Sequence, residues 1–316
     1  MVGARPERPA RRGPRPPRLR GVFGTVGAVI ECVINVSEGR RTDVVSAVGR
    51  AAGAALLDVH TDPDHNRSVF TLGGSAAEVT GAARALAREA VEAIDLAGHA
   101  GVHPRLGAVD VVPFVVLDDP GPDGLVRAGG IARAWGEAAA EALGVPVFLY
   151  GAADPQGRSL PEVRRTAFRE RRPDFGPEEP HPTAGAMAVG ARPVLVALNC
   201  ELAAGGDPDA DLAVARAVAR AVRERDGGLA GVRALGFALA SKGRAQVSMN
   251  LVDLAATGVE TAVAAVRREA GRNGADVAGV ELVGLLPAAE LERCSPEFLR
   301  WSGLGAGSTI EARLRR

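Results

Sequence analysis

The sequence predicts an α+β protein of two ferredoxin-like (βαββαβ) subdomains with a substrate cleft between them. Three observations lead there. Strand-like and helix-like patterns alternate along the chain, the order β-α-β-β-α-β occurs twice, and a loop-rich stretch separates the copies. A repeated split βαβ order folds as two sheets, each covered by helices on one face. Ligand sites favour the cleft between such units.

In the first copy, Val26–Val36 reads as a strand and Asp43–Gly53 as a helix ending in glycine. Ala55–His60 is a second strand, and Asp62-Pro63-Asp64-His65 is turn chemistry leading into the strand Arg67–Leu72. Ser75 and Glu78 form a capping box opening a helix to Ile94, with Val79, Ala83, Leu86, Ala90 and Ile94 at helical spacing. Ala108–Leu117 is a strongly apolar strand. In the second copy, Val194–Cys200 is a strand, and Asp209–Glu224 a helix with Leu212, Ala215, Val218 and Val222 on one face. Strands Val232–Leu239 and Ala245–Leu251, helix Val259–Arg272 and strand Val277–Val283 complete it.

Between the copies, Gly124–Leu143 reads as a helix and Val145–Tyr150 as a strand. Gly151–Gly190 reads as mostly loop, and so long a loop in a compact protein points to a functional segment. Near the end, Gly303-Leu304-Gly305-Ala306-Gly307 precedes no convincing helix and reads as a flexible end. The expected divisions are a disordered Arg/Pro-rich extension over 1–27, a first subdomain over 28–184 and a second over 185–316.

Composition excludes several classes. Basic and acidic residues balance at 38 each, so no overall field draws the chain to nucleic acid or an anionic membrane. Aromatics are 3%, with Tyr150 the sole tyrosine, so stacking platforms for single strands are poorly supplied. Cys32, Cys200 and Cys294 are odd in number and far apart, which argues against a disulfide framework and for a reducing compartment. No apolar stretch reaches the ~18–20 residues that span a bilayer. The extension holds seven Arg and five Pro in its first twenty residues, too polar to bury a core. With the apolar run Gly21–Ile30 it superficially resembles a signal peptide, but Glu31 interrupts that run and no A-x-A site follows. The expected location is the cytoplasm.

Five histidines supply the acid–base chemistry: His60 and His65 in DVHTDPDHNR, His99 and His103 in GHAGVHPRLGAVD, and His181 in the long loop. His103 stands in a glycine-bounded loop beside Pro104 and Arg105, at the entry of an apolar strand. That places an imidazole on a rigid mount next to a guanidinium that can clamp a carboxylate. A surface-loop histidine with a structural proline explains the same residues. Asp58, His60, Asp62, Asp64 and His65 read either as divalent-metal donors or as a plain turn, with Arg67 after them favouring an anion. P-loop, dinucleotide-binding and nucleophile-elbow motifs are absent.

Several strings go further. Glu31–Arg40 (ECVINVSEGR), Leu57–Leu72 (LDVHTDPDHNRSVFTL) and above all Gly101–Phe114 (GVHPRLGAVDVVPF) closely resemble the glutamate formimidoyltransferase family. The likeness continues through Gly144–Gly151, Asp174-Phe175-Gly176, Gly185–Leu202, Gln246–Gly258 and Glu281–Pro287. The resemblance implies transfer of a formimidoyl group from N-formimidoyl-L-glutamate to N5 of tetrahydrofolate, in histidine breakdown and one-carbon metabolism. It implies two ferredoxin-like subdomains with a tunnel between them, and tetrahydrofolate as co-substrate with no metal. His103 takes the place of the family's catalytic histidine. Asn35, Ser37 and Glu38 take the places of residues lining its site. The folate-contacting segment falls on Gly176, Pro177, Glu178, Glu179, Pro180, His181, Pro182, Thr183, Ala184 and Gly185. Arg67 and Arg105 are candidate clamps for substrate carboxylates, and Glu38 or Asp110 for the cationic amidine.

One departure stands out: Ile34 occupies a position that is usually proline in the family, which leaves the loop carrying Asn35 less rigid. Expected partners are the two small-molecule substrates and a separate downstream cyclodeaminase, and the composition permits a homodimer. Alternatives are a related folate-dependent transferase using formimidoylglycine, a metal-dependent hydrolase, and a folate-binding module without catalysis.

Overall fold

A computed structural model of the chain describes residues 28–102, 104–203, 205–239 and 241–316. The expected extension over 1–27 lies outside the described residues.

The first unit runs β1 (Val29–Val36), α1 (Thr42–Ala51), β2 (Leu56–Asp62), β3 (Arg67–Ser75), α2 (Ala76–Ala93) and β4 (Val109–Val116). It continues through α3 (Pro122–Leu143), β5 (Val147–Gly151), α4 (Leu160–Thr166) and β6 (Met187–Ala191). The second runs β7 (Val196–Ala203), α5 (Pro208–Val222), β8 (Val232–Leu239), β9 (Arg244–Leu251), α6 (Val259–Arg272) and β10 (Asp276–Val283), followed by α7 (Ala288–Glu292), α8 (Pro296–Ser302) and α9 (Ile310–Leu314). One sheet has strand order β2-β3-β1-β4-β6-β5 and the other β10-β7-β9-β8. The two βαββαβ copies therefore share one pairing order, with the first strand of each flanked by its third and fourth. In the first sheet β6 and β5 extend that pattern by parallel pairing on β4.

Alternation decides which face is buried. On β1, Ile30, Cys32, Ile34 and Val36 join the core under α2 and α3, so Glu31, Val33 and Asn35 project to the opposite face. Alanines on α3 (Ala128, Ala132, Ala139, Ala140) let it lie close on β4 and β6, and Trp135 fills the gap to Phe114 while donating to the Thr80 carbonyl at 3.1 Å. In the second sheet Leu198, Cys200, Val247 and Met249 face α5 and α6, which answer with Ala215, Val218, Val263 and Val266. Asn199, Glu201, Gln246, Ser248 and Glu281 look the other way. The faces of the two sheets away from α2–α3 and from α5–α6 are turned toward each other, where His60 meets Glu281 and His65 meets Gln246.

The capping box forms as expected: Ser75 Oγ accepts the Glu78 N–H at 3.3 Å, and Glu78 accepts the Ser75 N–H at 2.9 Å. Three expectations need correction. The division expected at 184/185 precedes β6, whose parallel pairing assigns it to the first sheet, so the sheets part between Ala191 and Val196. The stretch expected to be mostly loop contains α4 as well as β6. The run Gly303–Gly307, expected to precede no helix, leads into α9: Leu304 joins the second core, Thr309 caps the helix, and Ile310 packs with Val115, Leu117 and Leu285 on the first sheet's other face.

Candidate active site

One end of the first sheet gathers most of the residues singled out above. Antiparallel register places Val36 opposite both Ser68 and Val109, so the exit of β1 meets the entries of β3 and β4. Asn35, Ser37, Glu38, Arg67 and Asp110 meet there. Asn35 lies in one row with His60, Val69 and Val111, and its amide donates to the Val33 carbonyl at 3.2 Å. Ser37 donates through Oγ to the Gly107 carbonyl at 2.8 Å, riveting the entry of β4. His103 itself lies outside the described residues.

The two carboxylates considered for the amidine are already engaged. Glu38 accepts the N–H groups of Arg40 and Arg41 at 2.8 and 2.9 Å and the Arg41 Nε at 2.6 Å. Burial pushes its pKa up, but those donors outweigh burial and hold it below the usual carboxylate range. Asp110, 1% exposed, accepts the Leu106 N–H at 2.6 Å and Arg164 Nη2 at 2.5 Å. Arg164 comes from α4 and also donates to the Pro104 carbonyl at 2.8 Å, so α4 clamps both ends of the Pro104–Asp110 turn.

The arginines sit in low-dielectric surroundings. Burial lowers the pKa of Arg67 to about 10, against the opposing charge of Asp110. Arg105 is also lowered by burial; it donates to the Gly101 carbonyl at 2.8 Å, and its Nη1 lies 3.4 Å from His99 Nε2. Arginine only donates, so His99 Nε2 accepts in this contact, while its Nδ1 is buried with no partner among the described residues.

The segment expected to contact folate is pinned at both ends. Before it, Asp174 accepts the Leu149 N–H at 2.7 Å and Arg171 Nη2 at 2.5 Å, tying it to β5. After it, Gly185 adopts φ +65° against the turn before β4, where a Cβ would sit 2.5 Å from the Leu106 carbonyl oxygen. His181 bonds Gly185 through both backbone groups, and its Nδ1 accepts the Ala184 N–H at 3.0 Å, leaving Nε2 as the donor side of the ring. Gly176, Pro177, Glu178, Glu179, Pro180 and Pro182 are exposed along the span, whereas Thr183 is half-buried and Ala184 buried.

Sequence reasoning missed the second unit's contribution. His65 packs edge-on against Phe237 at 5.0 Å, and its Nε2 lies 3.3 Å from Gln246 Nε2. Ser241 donates to Asp64 through its N–H at 3.0 Å and its hydroxyl at 2.5 Å. The turn between β8 and β9 thus latches onto the turn between β2 and β3 across the cleft. Arg164 was missed too, although Ser159 and Glu162 form the same capping box that marked α2. The five candidate metal ligands from Asp58 to His65 do not converge: Asp58 pairs with Arg313, His60 faces Glu281, Asp62 pairs with His65 Nδ1, and Asp64 accepts from Ser241. Among the described residues, no group of three or more His, Cys, Asp and Glu gathers as a metal site.

Two family models match the chain. The N-terminal subdomain of the formiminotransferase domain matches residues 29–192, and the formiminotransferase domain matches residues 197–304. The chain belongs to the formiminotransferase family. It is 36% identical over 306 residues to glutamate formimidoyltransferase of Thermoplasma acidophilum, covering 92% of this chain and 98% of that one. It is 37% identical over 287 residues to glutamate formimidoyltransferase of Streptococcus pyogenes serotype M1, covering 86% and 93%. Formimidoyltransferase-cyclodeaminase of Sus scrofa is 39% identical over 278 residues, and the chain spans 51% of that relative. Both formiminotransferase matches respect the division between the two sheets. No helix among the described residues is long and apolar enough to cross a membrane.

Proposed function

We propose that this member of the formiminotransferase family transfers the formimidoyl group of N-formimidoyl-L-glutamate to N5 of tetrahydrofolate. Agreement with two glutamate formimidoyltransferases over more than nine-tenths of their length supports this most directly. In the reaction an N5–C bond forms and the bond from that carbon to the glutamate nitrogen breaks. N5 loses a proton and the leaving nitrogen gains one, so a single group that takes the first and returns the second serves both steps. His103 fills that role. Arg67 and Arg105, held at reduced solvent exposure, clamp carboxylates, and Asn35 lines the floor of the cleft. Ser37, Glu38 and Asp110 hold the loops in place, consistent with their engaged hydrogen bonds. The Gly176–Gly185 segment covers the folate. Both substrates in one cleft gain rate from orientation alone. A separate cyclodeaminase, in the cytoplasm, then processes 5-formimidoyltetrahydrofolate.

His103→Ala in a transfer assay tests this. The rate is expected to fall by roughly 10²–10⁴-fold while tetrahydrofolate binding is retained. A variant as fast as the wild type would remove His103 from the chemistry.

A further inference from the structure

The turn between β2 and β3 is held from two sides. From the second unit, Ser241 donates to the Asp64 carboxylate through its N–H at 3.0 Å and its hydroxyl at 2.5 Å. Phe237 packs edge-on against His65 at 5.0 Å. On its other side the same turn supports a loop of the first unit, Ala100–Val102. The Asp64 carbonyl accepts the Val102 N–H at 3.3 Å, and Asn66 Nδ2 donates to the Ala100 carbonyl at 2.9 Å. Asn66 Oδ1 accepts the Gly39 N–H at 2.9 Å, so its carboxamide is used at both ends. The residue takes φ +47°, a left-handed conformation that asparagine tolerates better than most. Asp64 thus bonds the second unit with its side chain and the loop with its backbone.

The loop in turn holds a residue of the site. Arg105 Nη2 donates to the Gly101 carbonyl at 2.8 Å. Gly101 is wedged between turn and guanidinium: a Cβ there would sit 2.9 Å from Asn66 Cβ and 2.9 Å from Arg105 Nη2. Packing this close transmits a displacement instead of absorbing it. Asn66 is 7% exposed, so little water competes for the hydrogen bonds it makes. A continuous path therefore runs from Ser241 through Asp64 and Asn66 to Gly101 and Arg105.

We propose that the Asp62–Asn66 turn relays closure of the cleft to Arg105: docking of the β8–β9 hairpin sets the Ala100–Val102 loop and the guanidinium it holds. The use of Arg105 on a substrate carboxylate rests on the transfer function proposed above. The coupling does not, and its test needs no activity. Linkage is reciprocal, so loosening either end loosens the other. Hydrogen–deuterium exchange on the full chain reads both ends, at the Val102 and Ser241 amides. Ser241→Ala removes the hydroxyl donor and should speed Val102 exchange by about 10-fold, the low end for a hydrogen bond to a charged group. Asn66→Asp keeps the Oδ1 acceptor but loses the donor to Ala100, and should speed Ser241 exchange by about 10-fold through the same linkage. Thermal melts establish that the variants are folded. Ser241 is exposed, so its arm carries the test alone where Asn66→Asp fails to fold. Exchange that rises only at the substituted end would mean two independent contacts and would overturn the relay. Failure of the transfer function is read separately, as absence of product from the wild type, and leaves the exchange result standing.

Discussion

Glu31 stands on β1 opposite Gly73 and Val115, on the face away from the helices and 2% exposed. Burial raises its pKa to about 7, eased by Arg192 and reinforced by Glu311. Its folded value lies above that of a free carboxylate, near 4.5. The folded chain therefore binds more protons between those two values, and this residue's contribution to stability falls as pH rises through the window. Glu31→Gln should exceed the wild type in stability by about 3 kcal/mol at pH 8 and match it near pH 4.5. Urea denaturation at the two pH values checks this. An equal gain at both would show that shape, not charge, sets the effect. None of this was legible in the sequence: Glu31 was visible only as a break in an apolar run. Its environment depends on Arg192 and α9, both far along the chain.

The elements that were legible are those whose burial follows a simple period. β8 and α6 match their expected bounds because alternating or 3.6-spaced apolar residues pack on a single face. α4 and β6 were hidden for opposite reasons. α4 is a helix of about two turns set among Pro and Arg, held by its cap, the Arg164–Asp110 pair and the single buried Val163. β6 is a five-residue run of small residues, MAVGA, whose Gly190 makes room for the Tyr150 ring. Its pairing was decided by neighbouring β4 and β5, not by its own pattern. The weight α4 bears can be measured. Arg164→Met removes the guanidinium from buried Asp110 and should destabilise the protein by about 2–3 kcal/mol. The exposed Arg172–Glu178 pair is the control, where Arg172→Met should cost less than about 0.5 kcal/mol in chemical denaturation. Equal effects would mean that Asp110 finds another partner.

At the scale of the whole molecule, the duplication was readable because each copy repeats one element order, and the strand orders agree with it. The way the copies meet was not. The contacts join residues far apart in the chain, such as Asp64 and Ser241, 177 positions apart, so no local pattern announces them. That arrangement sets Asn35 and His60 on one wall and Gln246 and Glu281 on the other. The most direct measurement is a transfer assay on the purified full chain with tetrahydrofolate and N-formimidoyl-L-glutamate, run beside N-formimidoylglycine. Product is read as the strongly absorbing 5,10-methenyl form that acid generates from 5-formimidoyltetrahydrofolate. The account predicts product from the glutamate donor and far less from the glycine donor. Product from glycine alone would contradict the donor, and none from either, with tetrahydrofolate bound, would contradict the transfer itself.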